Sequence, residues 1–243
     1  MDHREKYLKE SLFTVSHKLR LNRILGIIGN LDVDEEGRFA DFGCSSGYIL
    51  NLASQMPKYK KWSFFGFDYS EESLHRGEEM FPEIDFNEMD LSVLDDRYEE
   101  SFDFVTCFET LEHVEDYRTA FRNLYRKTKP GGKILISVPN ETFLQGLIKN
   151  IGRYLRGDRY LDRKMTNTWK KKVSYVSCLI TNKNIERFRK GVSGGYGHLG
   201  FDYRNLERFV DKNYLRKNKI LLLSKESVFL GFYKIYLFRK GTD

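Results

Sequence analysis

The sequence predicts an α/β protein built on one open, mostly parallel sheet. Three observations carry that expectation. Short apolar runs alternate with helical stretches from residue 39 to residue 139, the pattern in which helical crossovers join parallel neighbours. An acid or a small-residue loop follows each of the first four runs: the 41–47 loop, Asp68, Asp90 and Glu109. The last two apolar runs, 218–224 and 229–240, are separated by only a few residues, which suits an antiparallel hairpin closing a sheet edge.

Taken in order, residues 4–28 read as a helix, because Leu8, Leu12, Val15, Leu19, Ile24 and Ile27 recur at spacings of three to five with charges between them. Phe39–Ala40 end a short strand, and Asp41 and a glycine-containing loop follow. Tyr48–Leu50 and Leu52–Ala53 continue as a helix. WSFFGF (62–67) is a strand leading to Asp68. Ser70 then offers an N-cap, with Glu71 and Glu72 in the first helical turn. Residues 84–86 and 102–108 are the third and fourth strands. Glu109 to Thr128 reads as a helix stopped by Pro130-Gly131-Gly132, and 133–139 is the fifth strand. Residues 143–197 break the alternation. They read as a basic helical lid laid over the active end of the sheet, inside a single domain of residues 1–243 whose first 30 residues form a helical segment.

The 243 residues, 40% of them hydrophobic, allow one sizeable core. No apolar run reaches the roughly 18–20 residues that span a bilayer, and the charged start MDHREKYLKE lacks an apolar signal core. A soluble, cytoplasmic protein is therefore expected. Cys44, Cys107 and Cys178 are odd in number and widely spaced, so neither a disulfide framework nor a zinc site is expected. Cys107 reads as a buried strand residue. The net charge is +6, but residues 143–195 alone carry +10 and the rest of the chain about −4. Any attraction for an anionic partner belongs to the lid.

Ligands of open α/β sheets bind beyond the carboxyl ends of the strands. There the chain has Asp41-Phe42-Gly43-Cys44-Ser45-Ser46-Gly47. Gly43 and Gly47 permit a tight turn, and the following helix aims free N–H groups at the same space. A dinucleotide fingerprint needs glycines where this chain has Ser45 and Tyr48; Tyr48 would obstruct a pyrophosphate. Asp68, 21 residues beyond Gly47, can accept hydrogen bonds from two ribose hydroxyls, and Asp90 from an exocyclic amine. Together they describe adenosine. The competing reading makes both acids helix caps and the glycines a simple turn.

At these residues the chain resembles the class I S-adenosylmethionine-dependent methyltransferases. Their first motif, acid-x-G-x-G-x-G, matches residues 41–47 except at Ser45. FDFVTCFETLEHV and KPGGKILISVPN are similar to the fourth- and fifth-strand motifs of that family. The resemblance covers residues 20–140 and the C-terminal hairpin. It implies a Rossmann-like sheet of seven strands in the order 3-2-1-4-5-7-6, helices on both faces, and S-adenosylmethionine as cofactor. It also implies cofactor contacts from Asp41, Gly43, Cys44, Ser45, Gly47, Tyr48, Asp68, Tyr69, Ser70, Met89, Asp90, Leu91 and Phe108.

Methyl transfer from a sulfonium is a direct displacement that depends on alignment, and a hydroxyl acceptor gains from a base. His113, four residues after Glu109, would share a helix face with it, as base and tautomer-fixing or substrate-binding partner. A structural role for Glu112 and His113 is the alternative. The run Glu109-x-x-Glu112-His113 also resembles a metal-linked motif of ubiquinone-pathway and small-RNA methyltransferases, with His198 as a further ligand, although metal-free relatives share the pair; a divalent metal is the less favoured reading. His198 follows the glycine-rich run 191–197 and reads either as an acceptor-facing catalytic residue or as a loop histidine bonded to backbone.

In the lid, Phe143, Leu144, Leu147, Ile148, Ile151, Tyr154 and Leu155 share one helical face, with Lys149, Arg153 and Arg156 off it. A helix packed on the sheet is the favoured reading, and weak contact with an anionic lipid surface the alternative. Arg163, Lys164 and Lys170–Lys172 beside Trp169 and Tyr175 suit either phosphate with a stacked base or, equally, selection of a phosphorylated or carboxylated small substrate. The favoured function is O-methylation of a small anionic, sugar-like or lipid-linked acceptor. RNA methylation and a catalytically silent cofactor-binding role are the alternatives, with the acceptor and oligomeric state unread.

Overall fold

Seven strands hydrogen-bond into one sheet in the order 3-2-1-4-5-7-6. They are β1 (Glu36–Phe42), β2 (Lys61–Asp68), β3 (Asp85–Glu88), β4 (Phe102–Phe108), β5 (Thr128–Pro139), β6 (Ile220–Val228) and β7 (Tyr233–Lys240). The first five are parallel and β7 runs antiparallel to both β5 and β6. This is a computed structural model that describes residues 12–155, 169–189 and 199–242. The helices are α1 (Leu12–Asn30), α2 (Tyr48–Ser54), α3 (Glu71–Met80), α4 (Tyr117–Lys127), α5 (Phe143–Leu155), α6 (Trp169–Thr181) and α7 (Tyr203–Val210). Fold class and strand order match the expectation.

Both sheet faces are covered, as parallel strands require. One core contains Ala40, Phe42, Val105, Cys107, Ile134 and Ile136 with α4 and α7; the other contains Phe39, Phe64, Phe104, Phe108 and Leu135 with α1 and α2. Alternation along β4 would put Phe102 with Phe104. A register shift between them turns Phe102 into the α4 core instead. In the α2 core, Phe39 has the rings of Phe104, Phe64 and Tyr59 at 4.5, 5.6 and 5.8 Å, separations at which aromatic pairs attract.

Several boundaries differ from the sequence reading. The helix expected over 109–128 begins at Tyr117, capped by the Asp116 carboxylate, which accepts from the Arg118 N–H at 2.9 Å. Glu109, at φ +51°, lies outside the helical region, so residues 109–116 form turns. β5 begins at Thr128, before Pro130-Gly131-Gly132 rather than after it. The hairpin strands end and begin a few residues later than expected. In α1 the buried stripe is Ser16–Arg20–Ile24–Ile28, and Val15 and Leu19 are exposed; residues 4–11 lie outside the described residues.

The C-terminal ends of β1, β2 and β3 are drawn together by one ring. A Cβ added to Gly47, Gly66 or Gly77 would lie 2.6, 2.7 or 2.7 Å from Phe86. Three segments, the loop before α2, β2 and α3, thus approach the same aromatic side chain, and only glycine leaves room. Gly66→Ala should therefore cost about 1–3 kcal/mol by overpacking. Adding Phe86→Leu should recover part of that loss, measured by denaturant unfolding of the single and double variants; additive losses would show that the ring is not the obstacle.

Candidate active site

Each strand of the first half of the sheet delivers a polar group at its carboxyl end. β1 ends with Asp41–Phe42 and turns through Gly43 and Gly47, at φ +78° and +74°, where side-chain-bearing residues are strained. Ser45 also sits at positive φ, +52°, so the serine occupies a third left-handed position that a glycine would fill freely. The Gly43 and Cys44 N–H groups donate to the Phe67 carbonyl at 2.7 and 3.0 Å, tying the loop to β2. No side chain caps α2, whose cap residue is Gly47. Its first-turn amides therefore point out beyond the strand ends, with the positive end of the helix dipole behind them.

Asp68, the last residue of β2, is buried. Its Oδ2 accepts from the Ser45 N–H at 2.8 Å and its Oδ1 from the Ser70 N–H at 3.0 Å. The carboxylate is held at the loop by backbone alone, which leaves further lone pairs for a ligand. Ser70 caps α3, accepting from the Ser73 N–H at 3.3 Å. Tyr69 beside it is 74% exposed. Beyond β3, Met89 and Leu91 are buried, and the Met89 N–H donates to the Asp68 carbonyl at 2.9 Å. Asp90 between them is exposed, and its Oδ1 accepts from the Ser92 N–H and hydroxyl at 2.8 and 2.7 Å.

Asp41 is the most constrained of these acids. It is 4% exposed, and the Thr106 hydroxyl of β4 donates to its Oδ1 at 2.6 Å. Burial pushes its carboxyl up to about 6; the Thr106 bond opposes the shift and the nearby Asp68 charge adds to it. Burial likewise pushes the Cys44 and Cys107 thiols up, so neither is poised as a thiolate. All three cysteines are free and buried.

Beyond β4 and β5 the site is a buried charge cluster. Glu109 Oε1 pairs with Arg20 Nη1 of α1 at 3.2 Å and accepts from the Ser137 hydroxyl of β5 at 3.1 Å. The Arg20 guanidinium sits 5.2 Å from the centre of the Tyr233 ring. Glu112 is fully buried, and burial raises its carboxyl well above the usual range, opposed by Arg20, Lys149 and Arg189. His113 is 45% exposed with Nε2 3.8 Å from Glu112 Oε1. The expected Glu109–His113 pairing on one helix face is thus replaced: Glu109 turns to Arg20 and Ser137, and Glu112 is the acid beside His113. The turn at 109–116 is the reason.

The structure brings Asp41, Gly43, Cys44, Ser45, Gly47, Tyr48 and Asp68 to one end of the sheet, with Phe108 buried at the end of β4. His198 lies outside the described residues. Among those described, no group of three or more His, Cys, Asp or Glu could hold a metal ion. Thr106, Arg20 and Ser137 went unrecognised in the sequence. None of the three gives a signal: Arg20 and Ser16 are polar breaks in the apolar pattern of α1, and Thr106 and Ser137 lie inside apolar strands.

A family model described as "Methyltransferase domain" matches residues 16–188. A ubiquinone biosynthesis O-methyltransferase of Paracidovorax citrulli is 33% identical over 148 residues, 59% of this chain and 60% of that protein. The chain spans about three-fifths of the length of the curated relatives it matches. Among solved structures, an S-adenosylmethionine-dependent methyltransferase from Mesorhizobium loti aligns with TM-score 0.56 at 18% identity, covering 91% of this chain and 96% of that one. Another from Aquifex aeolicus aligns with TM-score 0.58 at 10% identity, covering 99% of each. At such identities these two show the fold alone.

The buried Asp41 generates a pH prediction. A carboxyl whose folded-state pKa lies above its unfolded value favours folding when protonated. Its contribution is fully present below pH about 4 and is lost as pH rises through about 6. Asp41→Asn keeps the acceptor for Thr106 and removes the charge. In thermal scans of the ligand-free protein, variant and wild type should melt alike near pH about 4. The variant should gain several degrees, roughly 2–3 kcal/mol, as pH rises through about 6. A variant less stable throughout would contradict the assignment.

Proposed function

The chain belongs to the class I S-adenosylmethionine-dependent methyltransferase family, and from that premise we propose that it moves the methyl group of S-adenosylmethionine onto a hydroxyl oxygen of a small acceptor. The observation that carries the reading is Asp68: a buried carboxylate at the end of β2, ordered by two loop amides, where a ribose diol is expected in such sheets. The donor set fits the cofactor. Amides at the start of α2 suit its carboxylate, the charge of Asp41 suits its ammonium and sulfonium, Asp68 suits the ribose, and Asp90 with the backbone of Leu91 suits the adenine amine. When bound, S-adenosylmethionine supplies a methyl group on a positively charged sulfur.

What remains for the chain is alignment, exclusion of water and management of one proton. The acceptor is proposed to sit beyond β4 and β5, between Phe108, the Glu109–Arg20–Ser137 cluster and His113. His113 takes the proton of the acceptor hydroxyl as the oxygen closes on the methyl group, and Glu112 behind it orients the imidazole. Glu109 is a positioning residue here, holding the wall opposite. The choice of oxygen is supported by relatives named as O-methyltransferases. The net charge of residues 143–195, +10, favours an anionic acceptor.

Two substitutions test the division of labour. Ligand at 100 times its dissociation constant stabilises the native state by about 2.7 kcal/mol. Asp68→Ala should abolish the thermal shift with S-adenosylmethionine. His113→Ala should keep that shift and slow, by roughly 10²–10⁴-fold, the release of S-adenosylhomocysteine with hydroxyl acceptors that the wild type turns over. An unshifted wild type would overturn the cofactor assignment, and full activity in His113→Ala would overturn the base.

A further inference from the structure

Glu109, Glu112 and His113 bring two carboxylates and an imidazole close together in the chain, a donor set that suits a divalent cation. On one helix face, at i, i+3 and i+4, the three side chains would converge. The structure disperses them. Glu109 stands at φ +51°, and its Oε1 is engaged twice, by Arg20 Nη1 at 3.2 Å and by the Ser137 hydroxyl at 3.1 Å. Its N–H donates to the Ser137 carbonyl at 3.0 Å, which holds the residue against β5. Glu112 is buried within the turn, and His113 beside it is half exposed.

The same space already carries positive charge. Arg20 comes from α1 and Lys149 from α5, 2% and 8% exposed, and Arg189 from the segment after α6. All three act on the Glu112 carboxylate. Each is also fixed by contacts of its own. The Arg20 guanidinium lies 5.2 Å from the centre of the Tyr233 ring, and so does Lys149 Nζ, which pairs with Glu141 Oε1 at 3.1 Å. Arg189 Nη2 donates to the Leu111 and Val114 carbonyls at 3.3 and 2.6 Å.

Arg20, Lys149 and Arg189 therefore balance Glu109, Glu112 and Glu141 one for one. A guanidinium keeps its charge at every accessible pH. A divalent ion added here would meet fixed like charges in a place where water screens them poorly, and it would leave an excess of buried positive charge. The residues do not fit the metal that their spacing suggests. We propose that Arg20 is the resident cation of this site: its guanidinium neutralises Glu109 and Glu112 in the place of a divalent metal, and the protein needs no metal there. An acceptor beside it is then held by charge and hydrogen bonds rather than by chelation through adjacent oxygens. The inference rests on the charge arrangement beyond β4 and β5 and stands apart from the identity of the acceptor.

The test is thermal melting of the whole chain in EDTA, in magnesium chloride and in manganese chloride, with calorimetric titration by manganese chloride. The wild type should melt alike in each. Any weak manganese response from other acids should be equal in the wild type and in Glu109→Gln, whose amide oxygen still accepts from Ser137 and Arg20. Arg20→Ala leaves the two carboxylates without their cation. It should melt lower in EDTA and regain several degrees in saturating manganese chloride, a gain lost when Glu109→Gln is added. Arg20→Lys keeps the charge and should stay as indifferent to manganese as the wild type. A wild-type manganese response that Glu109→Gln abolishes overturns the proposal, and so does a folded Arg20→Ala protein that ignores manganese. Should Arg20→Ala fail to fold, the wild-type and Glu109→Gln titrations decide between the outcomes.

Discussion

Asp41 and Asp68 place two carboxylates at the ends of neighbouring parallel strands, withdrawn from water to 4% and 9% exposure. That concentration of negative charge is the constraint around which the site is arranged. It is costly in the ligand-free protein, since burial holds Asp41 partly protonated near neutrality. The chain offsets it with dipoles rather than cations: the Thr106 hydroxyl on Asp41 and the Ser45 and Ser70 amides on Asp68. Those amides face the acids only because Gly43, Ser45 and Gly47 adopt left-handed backbone and Phe86 is enclosed by three glycines. A cationic ligand supplies the charge that the fold withholds.

The carboxyl ends of β4 and β5 follow the opposite rule. Beyond β4 and β5 the acids Glu109, Glu112 and Glu141 are interleaved with Arg20, Lys149 and Arg189, drawn from α1, from α5 and from the segment after α6. Buried charge pairs do little for net stability but break at high cost. They therefore fix the geometry of whichever elements they join. Here they join the N-terminal helix and the lid to the turn carrying Glu112 and His113, so the wall of the proposed acceptor space is set by parts of the chain distant in sequence.

How much of this was legible depends on the range of the interaction. The strand–helix alternation, the Ser70 cap, the buried Cys107 and the hairpin all follow from local periodicity and turn chemistry, and they emerge as read. The strand order and the cofactor rested on a family resemblance, which the matches over residues 16–188 support. The start of α4 was misplaced because Glu109 looks like a helix N-terminus; its positive φ is imposed by packing against β5. The buried face of α1 was misread for a related reason. Arg20 breaks an apolar stripe by polarity alone, yet it is buried because Glu109 awaits it. In α5 Leu144, Ile148 and Ile151 lie outward rather than on the sheet, because Lys149 turns inward to Glu141 and Gly146 meets α6.

Because the cofactor's positive charge is what the two acids lack, the most direct measurement is calorimetric titration with S-adenosylmethionine at about pH 6, the value to which Asp41 is raised, in two buffers of different ionisation enthalpy. A cation that stabilises ionised Asp41 must expel its proton. Saturable binding with net proton release is expected, and no such release in Asp41→Asn. Binding whose heat is the same in both buffers, or no binding at all, would contradict it.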